Sequence, residues 1–213
     1  MRLPPSPLRR GHRRRRAVIG TLSAATGLLV GAGAVLWAGH HYEVYAVAGP
    51  SMQPGLDPGA RIVVELLDED GRAHIERGDV VLFPDPGSWA DHAERSALGE
   101  PGHGRAADSA APLDEVPATV VKRVVGLPGE RVVCCSRAGK LLIDGHELDE
   151  PYLHPSGGRF ASDLAFDTVV PDGAVWVLGD HRAVSRDSRS DPAGALQGAV
   201  EVDDLIGVVR TRM

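Results

Sequence analysis

The hydrophobic positions of the chain fall into one long run near the N-terminus and several short runs after it. The long run extends over residues 17–39 and contains no charged residue. The short runs are rich in β-branched residues and are separated by Gly, Pro and Asp, a pattern typical of strands joined by turns. No stretch after the long run keeps a 3.6-residue period, so we predict an all-β domain. The predicted strands are 43–48, 61–67, 80–83, 119–125, 132–135, 141–143, 174–178 and 205–210.

The long apolar run predicts a single transmembrane helix at 17–39. At a rise of roughly 1.5 Å per residue it reaches about 33 Å, enough to cross a bilayer. Residues 1–16 hold seven arginines and no acidic residue, which predicts a cytoplasmic polybasic tail and an exported domain at 40–213. The alternative is a cleavable signal peptide that ends at Ala46-Val47-Ala48, although the run is longer than the core of such a peptide. Both interpretations export the rest of the chain.

Residues 84–117 differ in composition from the segments on either side. They are rich in Gly, Pro, Ala and Asp and show no sustained hydrophobic period. We therefore predict a long, flexible insertion that interrupts the sheet without ending the domain.

Charge and cysteine content exclude several classes of function. The net charge is -6, and the only basic run is the N-terminal tail, so nucleic-acid binding is not expected. Cys134 and Cys135 are adjacent, which is compatible with a strained vicinal disulfide or with two buried thiols. No zinc-ligand spacing, phosphate-binding loop or dinucleotide fingerprint is present. We predict no metal and no cofactor.

Two residues are candidates for catalysis. Lys122 lies in an apolar strand and is one of only two lysines in the chain; unlike arginine, a lysine can lose its proton and act as a base. Ser51 is flanked by Gly and Pro on both sides, so it lies on a stiff turn suited to a nucleophile. The alternatives are a lysine that reaches solvent or pairs with a carboxylate, and a serine that only belongs to a turn. Asp180-His181 is a further candidate for a base.

Four segments, in this order and at this spacing, resemble the conserved boxes of bacterial type I signal peptidases (leader peptidases). These enzymes are membrane-anchored Ser–Lys proteases that remove signal peptides from exported preproteins. The segments are Gly49-Pro50-Ser51-Met52-Gln53-Pro54, the run from Arg77 to Phe83, the run from Val121 to Glu130, and the run from Gly179 to Arg189.

The resemblance implies a role for each matching residue. Ser51 is expected to be the nucleophile and Lys122 the general base. Ser185 is expected to hydrogen-bond the lysine, and Asp187 and Arg189 to form an ion pair that shapes the site.

Residues around the nucleophile are expected to support the site, and some depart from the family pattern. Gly49 and Met52 flank the nucleophile, and Gly49 stands where some members have a serine that helps to bind the oxyanion. Gly55 stands where many members have threonine, and His181 stands where asparagine is common.

The resemblance also implies a fold and a mode of action. We expect a coiled, mostly antiparallel β-sheet catalytic domain with a smaller β extension at about 131–170. We expect a monomer at the plasma membrane that contacts the lipid bilayer and cleaves preproteins after an Ala-x-Ala pattern. Two alternatives stay open: a membrane-tethered extracytoplasmic binding module without catalysis, and a self-cleaving Ser–Lys protease related to repressors.

Overall fold

The β-branched runs of the sequence pair into two antiparallel sheets. The computed structural model describes residues 41–86, 89, 119–158 and 160–213. Within these residues the strands are β1 (Tyr42–Ala46), β2 (Arg61–Leu66), β3 (Val80–Pro84), β4 (Thr119–Gly126), β5 (Arg131–Cys134), β6 (Leu141–Ile143), β7 (His146–Glu147), β8 (Phe166–Val169), β9 (Ala174–Leu178), β10 (Val200–Glu201) and β11 (Gly207–Arg212).

The larger sheet has β4 near its centre. Its strand order is β1-β2-β11-β3-β4-β9-β10, and the smaller sheet has the order β7-β6-β5-β8. The pairings between these strands are antiparallel. The expectation of a mostly antiparallel β fold is therefore confirmed. Residues 42–213 form one compact unit.

The predicted strands agree with the structure along most of the described chain, with a few differences. A short helix, α1 (Glu69–Arg72), forms in the connection between β2 and β3, where the pattern predicts no helix. The Asp68 carboxylate caps this helix by accepting a 2.8 Å hydrogen bond from the Gly71 N–H, as short polar side chains do at helix N-termini. The last strand begins at Gly207 rather than at Leu205. Leu205 ends a 3₁₀ turn that precedes the strand, and its side chain is buried there. Strands β7, β8 and β10 carry too short an apolar pattern to be predicted.

The larger sheet buries apolar side chains on both of its faces. On one face Phe83 contacts Trp89 edge to face, with ring centroids 5.8 Å apart, and on the other Met52 packs with Ile62 and Leu82. Trp89 belongs to the predicted insertion at 84–117, and it is only 4% exposed. The insertion otherwise lies almost entirely outside the described residues.

The smaller sheet extends from Arg131 to Val169, within the range expected for the β extension. It is joined to the larger sheet at Gly126, where an added Cβ would lie 2.6 Å from a Val132 methyl group. Only glycine allows β4 and β5 to approach this closely. At the end of β5, Cys134 and Cys135 are joined in a vicinal disulfide.

Among the described residues, no helix is both long enough and apolar enough to cross a membrane. The predicted polybasic tail at 1–16 and the predicted anchor at 17–39 lie outside the described residues.

Candidate active site

Ser51 lies on a rigid turn between β1 and β2. Pro50, Ser51 and Met52 form a 3₁₀ turn that begins with the proline, whose fixed φ suits the start of a helical turn. The Gln53 N–H donates to the Pro50 carbonyl at 3.1 Å, and the Leu56 N–H donates to the Met52 carbonyl at 2.9 Å. The Met52 side chain is 1% exposed and anchors the turn in the core. Ser51 is therefore fixed in position and is itself only 8% exposed.

Lys122 points from β4 toward Ser51. The strand alternates along its length, so that Val120, Lys122 and Val124 share its buried face. Lys122 is 2% exposed, which excludes the alternative of a lysine that reaches solvent. Its Nζ lies 2.9 Å from Ser51 Oγ and 3.1 Å from the Val121 carbonyl oxygen. The fold thus brings together two candidate residues that are 71 positions apart.

Burial of Lys122 has a chemical consequence. A low-dielectric environment penalises the ammonium form of a lysine and favours the neutral amine. A neutral amine within hydrogen-bonding distance of a serine hydroxyl can accept the hydroxyl proton. The Ser51–Lys122 pair therefore has the geometry of an activated nucleophile.

Asp187 and Arg189 form the ion pair that the resemblance implied. Both carboxylate oxygens accept from the guanidinium, at 2.7 and 2.8 Å, and the two side chains are 0% and 6% exposed. The Asp187 carboxylate also accepts from the Gly179 N–H at 3.1 Å. Arg189 donates to the Ser185 carbonyl at 3.3 Å. Breaking such a buried pair costs about 3–5 kcal/mol, so the pair fixes the loop that follows β9.

Ser185 lies beside the nucleophile turn. A Cβ added at Gly179 would collide with Ser185 and would lie 2.6 Å from the carbonyl oxygen of Ser51. The Ser185 hydroxyl donates to the Arg186 carbonyl at 3.4 Å. The expected hydrogen bond between Ser185 and Lys122 stays a prediction.

The histidine candidate does not contact the nucleophile's hydroxyl. The Asp180 carboxylate binds Arg123 in a two-pronged ion pair, at 2.8 and 2.7 Å, rather than orienting His181. The His181 main-chain N–H donates to the Ser51 carbonyl at 2.9 Å. Burial, and next the adjacent His154 ring, hold the pKa of His181 below its usual range. His181 thus supports the turn through its backbone, and Lys122 is the side chain that hydrogen-bonds the hydroxyl.

A pocket opens next to Ser51, between the end of β1 and the start of β4. Gly49 lies in its wall and is buried. At Gly55, behind the turn, an added Cβ would make ordinary contacts, 3.5 Å from the Met52 carbonyl oxygen. The position therefore has room for a Cβ. The pocket is lined by Tyr45, Ala46, Val47, Ala48, Gly49, Ser51, Met52, Leu82, Thr119, Val120, Val121 and Lys122.

Sequence reasoning missed a group of residues behind the pair. Glu150 and Tyr152 were not among the predicted site residues, yet both contact arginines next to the site. Glu150 binds Arg182, and the Tyr152 ring lies against Arg123. No local signal pointed to them, because the two residues lie in a turn at 150–153 and their arginine partners are distant in sequence.

The chain matches a known protein family over most of its length. The model of the family described as signal peptidase, peptidase S26, matches residues 19–213. The chain belongs to the peptidase S26 family. Among similar S26 proteins, a signal peptidase I of Bacillus caldolyticus is 31% identical over 181 residues, which cover 80% of this chain and 79% of the relative.

Two further proteins are similar to this chain. A signal peptidase IB of Staphylococcus aureus strain Mu50 is 31% identical over 182 residues, covering 79% of this chain and 75% of that protein. The crystal structure of a signal peptidase I from Enterococcus faecalis V583 is 27% identical, with a TM-score of 0.39, and covers 64% of this chain and 97% of the other.

Proposed function

We propose that this chain is a signal peptidase I, a serine endopeptidase that cleaves signal peptides from exported preproteins. The observation that carries the proposal is the 2.9 Å separation between the buried Lys122 Nζ and Ser51 Oγ. Membership of the S26 family, in which relatives named signal peptidase I occur, supports the choice of substrate.

The proposed reaction is acyl transfer through Ser51. Neutral Lys122 accepts the hydroxyl proton as Ser51 Oγ attacks the scissile carbonyl carbon. The Ser51 main-chain N–H is the proposed donor to the oxyanion, since Gly49 offers no hydroxyl. Protonated Lys122 then gives its proton to the leaving amine of the substrate. The Lys122 amine, neutral again, activates the water that releases the acyl group.

Ser185, Asp187 and Arg189 have supporting roles in this proposal. Ser185 orients the amine of Lys122. The Asp187–Arg189 pair keeps the loop after β9 in place, and the buried contacts of that pair support this assignment. Met52 anchors the nucleophile turn in the core.

The alternative functions lack a specific observation in their favour. A binding module has no use for a lysine held in an apolar strand beside a serine, since burial of the ammonium is unfavourable. A repressor-like protease shares the dyad, but the family match over residues 19–213 is to signal peptidases.

The enzyme is proposed to reside at the plasma membrane through an anchor at 17–39, with the tail at 1–16 in the cytoplasm and the domain at 40–213 outside. The uncharged run and the seven preceding arginines support this orientation. Protease added to intact cells that lack an outer barrier is expected to digest the domain and leave the anchor and tail. Protection of the domain would reverse the orientation.

A lysine that acts by losing its proton cannot be replaced by arginine. We expect Lys122→Arg to lower cleavage of a preprotein by at least about 100-fold, because a guanidinium stays protonated. Ser51→Ala is expected to abolish cleavage. Both variants are assayed for preprotein cleavage and for cooperative unfolding.

The matched control for this experiment is Lys140→Arg. Lys140 lies in the hairpin between β5 and β6, and its side chain is 46% exposed. This variant is expected to cleave at the wild-type rate. A folded Lys122→Arg enzyme that is as active as Lys140→Arg would assign the base to another residue.

Substrate choice is expected to follow from the shape of the pocket. Side chains from Leu82, Val120 and the segment 46–49 narrow the space next to Ser51, so large side chains before the scissile bond are excluded sterically. A preprotein with Ala at the first and third positions before the bond is expected to be cleaved. Equal cleavage of the same preprotein with Phe at the first position would disprove this specificity.

A further inference from the structure

A short segment between β7 and β8 contacts the elements that surround the site. We name residues 150–154 the strap. Its residues Glu150, Tyr152 and His154 contact β4, which carries Lys122, and the loop at 179–182, which hydrogen-bonds the Ser51 turn.

The first contact is a buried ion pair. The Glu150 carboxylate accepts from the Arg182 guanidinium, and the two side chains are 3% and 4% exposed. Arg182 also donates to the Gly179 carbonyl at 3.0 Å. Because neither charge is solvated, the pair is a strong constraint on the loop, unlike an ion pair on the surface.

The second contact joins Tyr152 to β4, the strand that carries Lys122. The Tyr152 ring lies 4.1 Å from the Arg123 guanidinium carbon, a cation–π distance. The Tyr152 hydroxyl donates to Glu150 at 2.9 Å. Burial and the Glu150 carboxylate raise the pKa of Tyr152, so the hydroxyl keeps the proton that it donates. Arg123 directly follows Lys122 in β4, so the position of Arg123 constrains that of the proposed base.

The third contact leads to the nucleophile. The His154 main-chain N–H donates to the Asp180 carbonyl at 3.1 Å. The His154 ring stacks on the His181 ring at 3.8 Å, and Ser156 Oγ hydrogen-bonds both rings, at 2.7 and 2.9 Å. The His181 N–H in turn donates to the carbonyl of Ser51.

We propose that Tyr152 is a positioning residue, which together with Glu150 and His154 sets the separation between the Lys122 amine and the Ser51 hydroxyl. The inference rests on the proposed function, because it concerns the geometry of that reaction. Proton transfer requires hydrogen-bond distance, and a displacement of about 1 Å can cost 100-fold in rate. The residues that line the pocket beside Ser51 include none from the strap, from Arg123 or from the loop at 179–182. Loss of the strap contacts is therefore expected to lower kcat and leave KM unchanged.

The test compares three variants of the full-length enzyme with one preprotein. Tyr152→Met fills much of the ring's space without a π face, and we expect kcat to fall about tenfold or more with KM within about twofold. Tyr152→Phe keeps the ring under Arg123 and is expected to restore most of the lost kcat. Asp149→Asn is the control, because this carboxylate precedes the strap and its side chain is 87% exposed; it is expected to match the wild type.

The outcomes distinguish failure of the positioning role from failure of the proposed function. A folded Tyr152→Met enzyme with wild-type kcat, or with a change in KM alone, would overturn the proposed positioning role. If Tyr152→Met does not fold, His154→Gln is used instead, because it removes the stacked ring. A lower kcat at unchanged KM in this variant supports the positioning role, and a wild-type kcat overturns it. Ser51→Ala is run beside them, since cleavage by that variant would refute the proposed function whatever the strap variants do.

Discussion

Burial of the Lys122 amine beside Ser51 is the interaction on which the site depends. An ammonium group is costly to remove from water, and Lys122 is 2% exposed in a strand of valines. The same environment that disfavours the cation favours the neutral amine, which the proposed mechanism requires of a base. The surrounding fold must therefore keep the amine out of water and 2.9 Å from the hydroxyl at the same time.

The architecture meets both requirements by fixing the two residues from different directions. Strand β4 is paired on both sides, by β3 and β9, which leaves little freedom for Lys122. The Ser51 turn is fixed by the buried Met52 from one side and by the His181 N–H from the other. Buried ion pairs, Asp187–Arg189 and Arg182–Glu150, hold the loop that connects these parts. Charged residues here fix geometry, and the apolar core supplies the stability.

Sequence reasoning could predict the parts of the structure that depend on local pattern. Ser51 and Lys122 were both recognisable, because a serine between prolines and a lysine among valines are locally unusual. Most strands followed from β-branched runs. Contacts between distant residues could not be predicted: Arg123 and Asp180 are 57 positions apart, and their pairing depends on the register of β4 against β9. Glu150 and Tyr152 were missed for the same reason, since their partners are known only once the chain has folded.

The chain offers a direct measurement of the central feature, because Lys122 and Lys140 are its only lysines. Full-length enzyme with isotope label at the lysine side chains gives two NMR signals near the amines, and the Lys140→Arg variant assigns them. We expect the Lys122 signal to titrate well below the ~10.4 of an unperturbed lysine, and to move when Ser51 is replaced by alanine. A Lys122 signal that titrates at ~10.4 and ignores the Ser51 replacement would contradict a buried, neutral base beside the nucleophile.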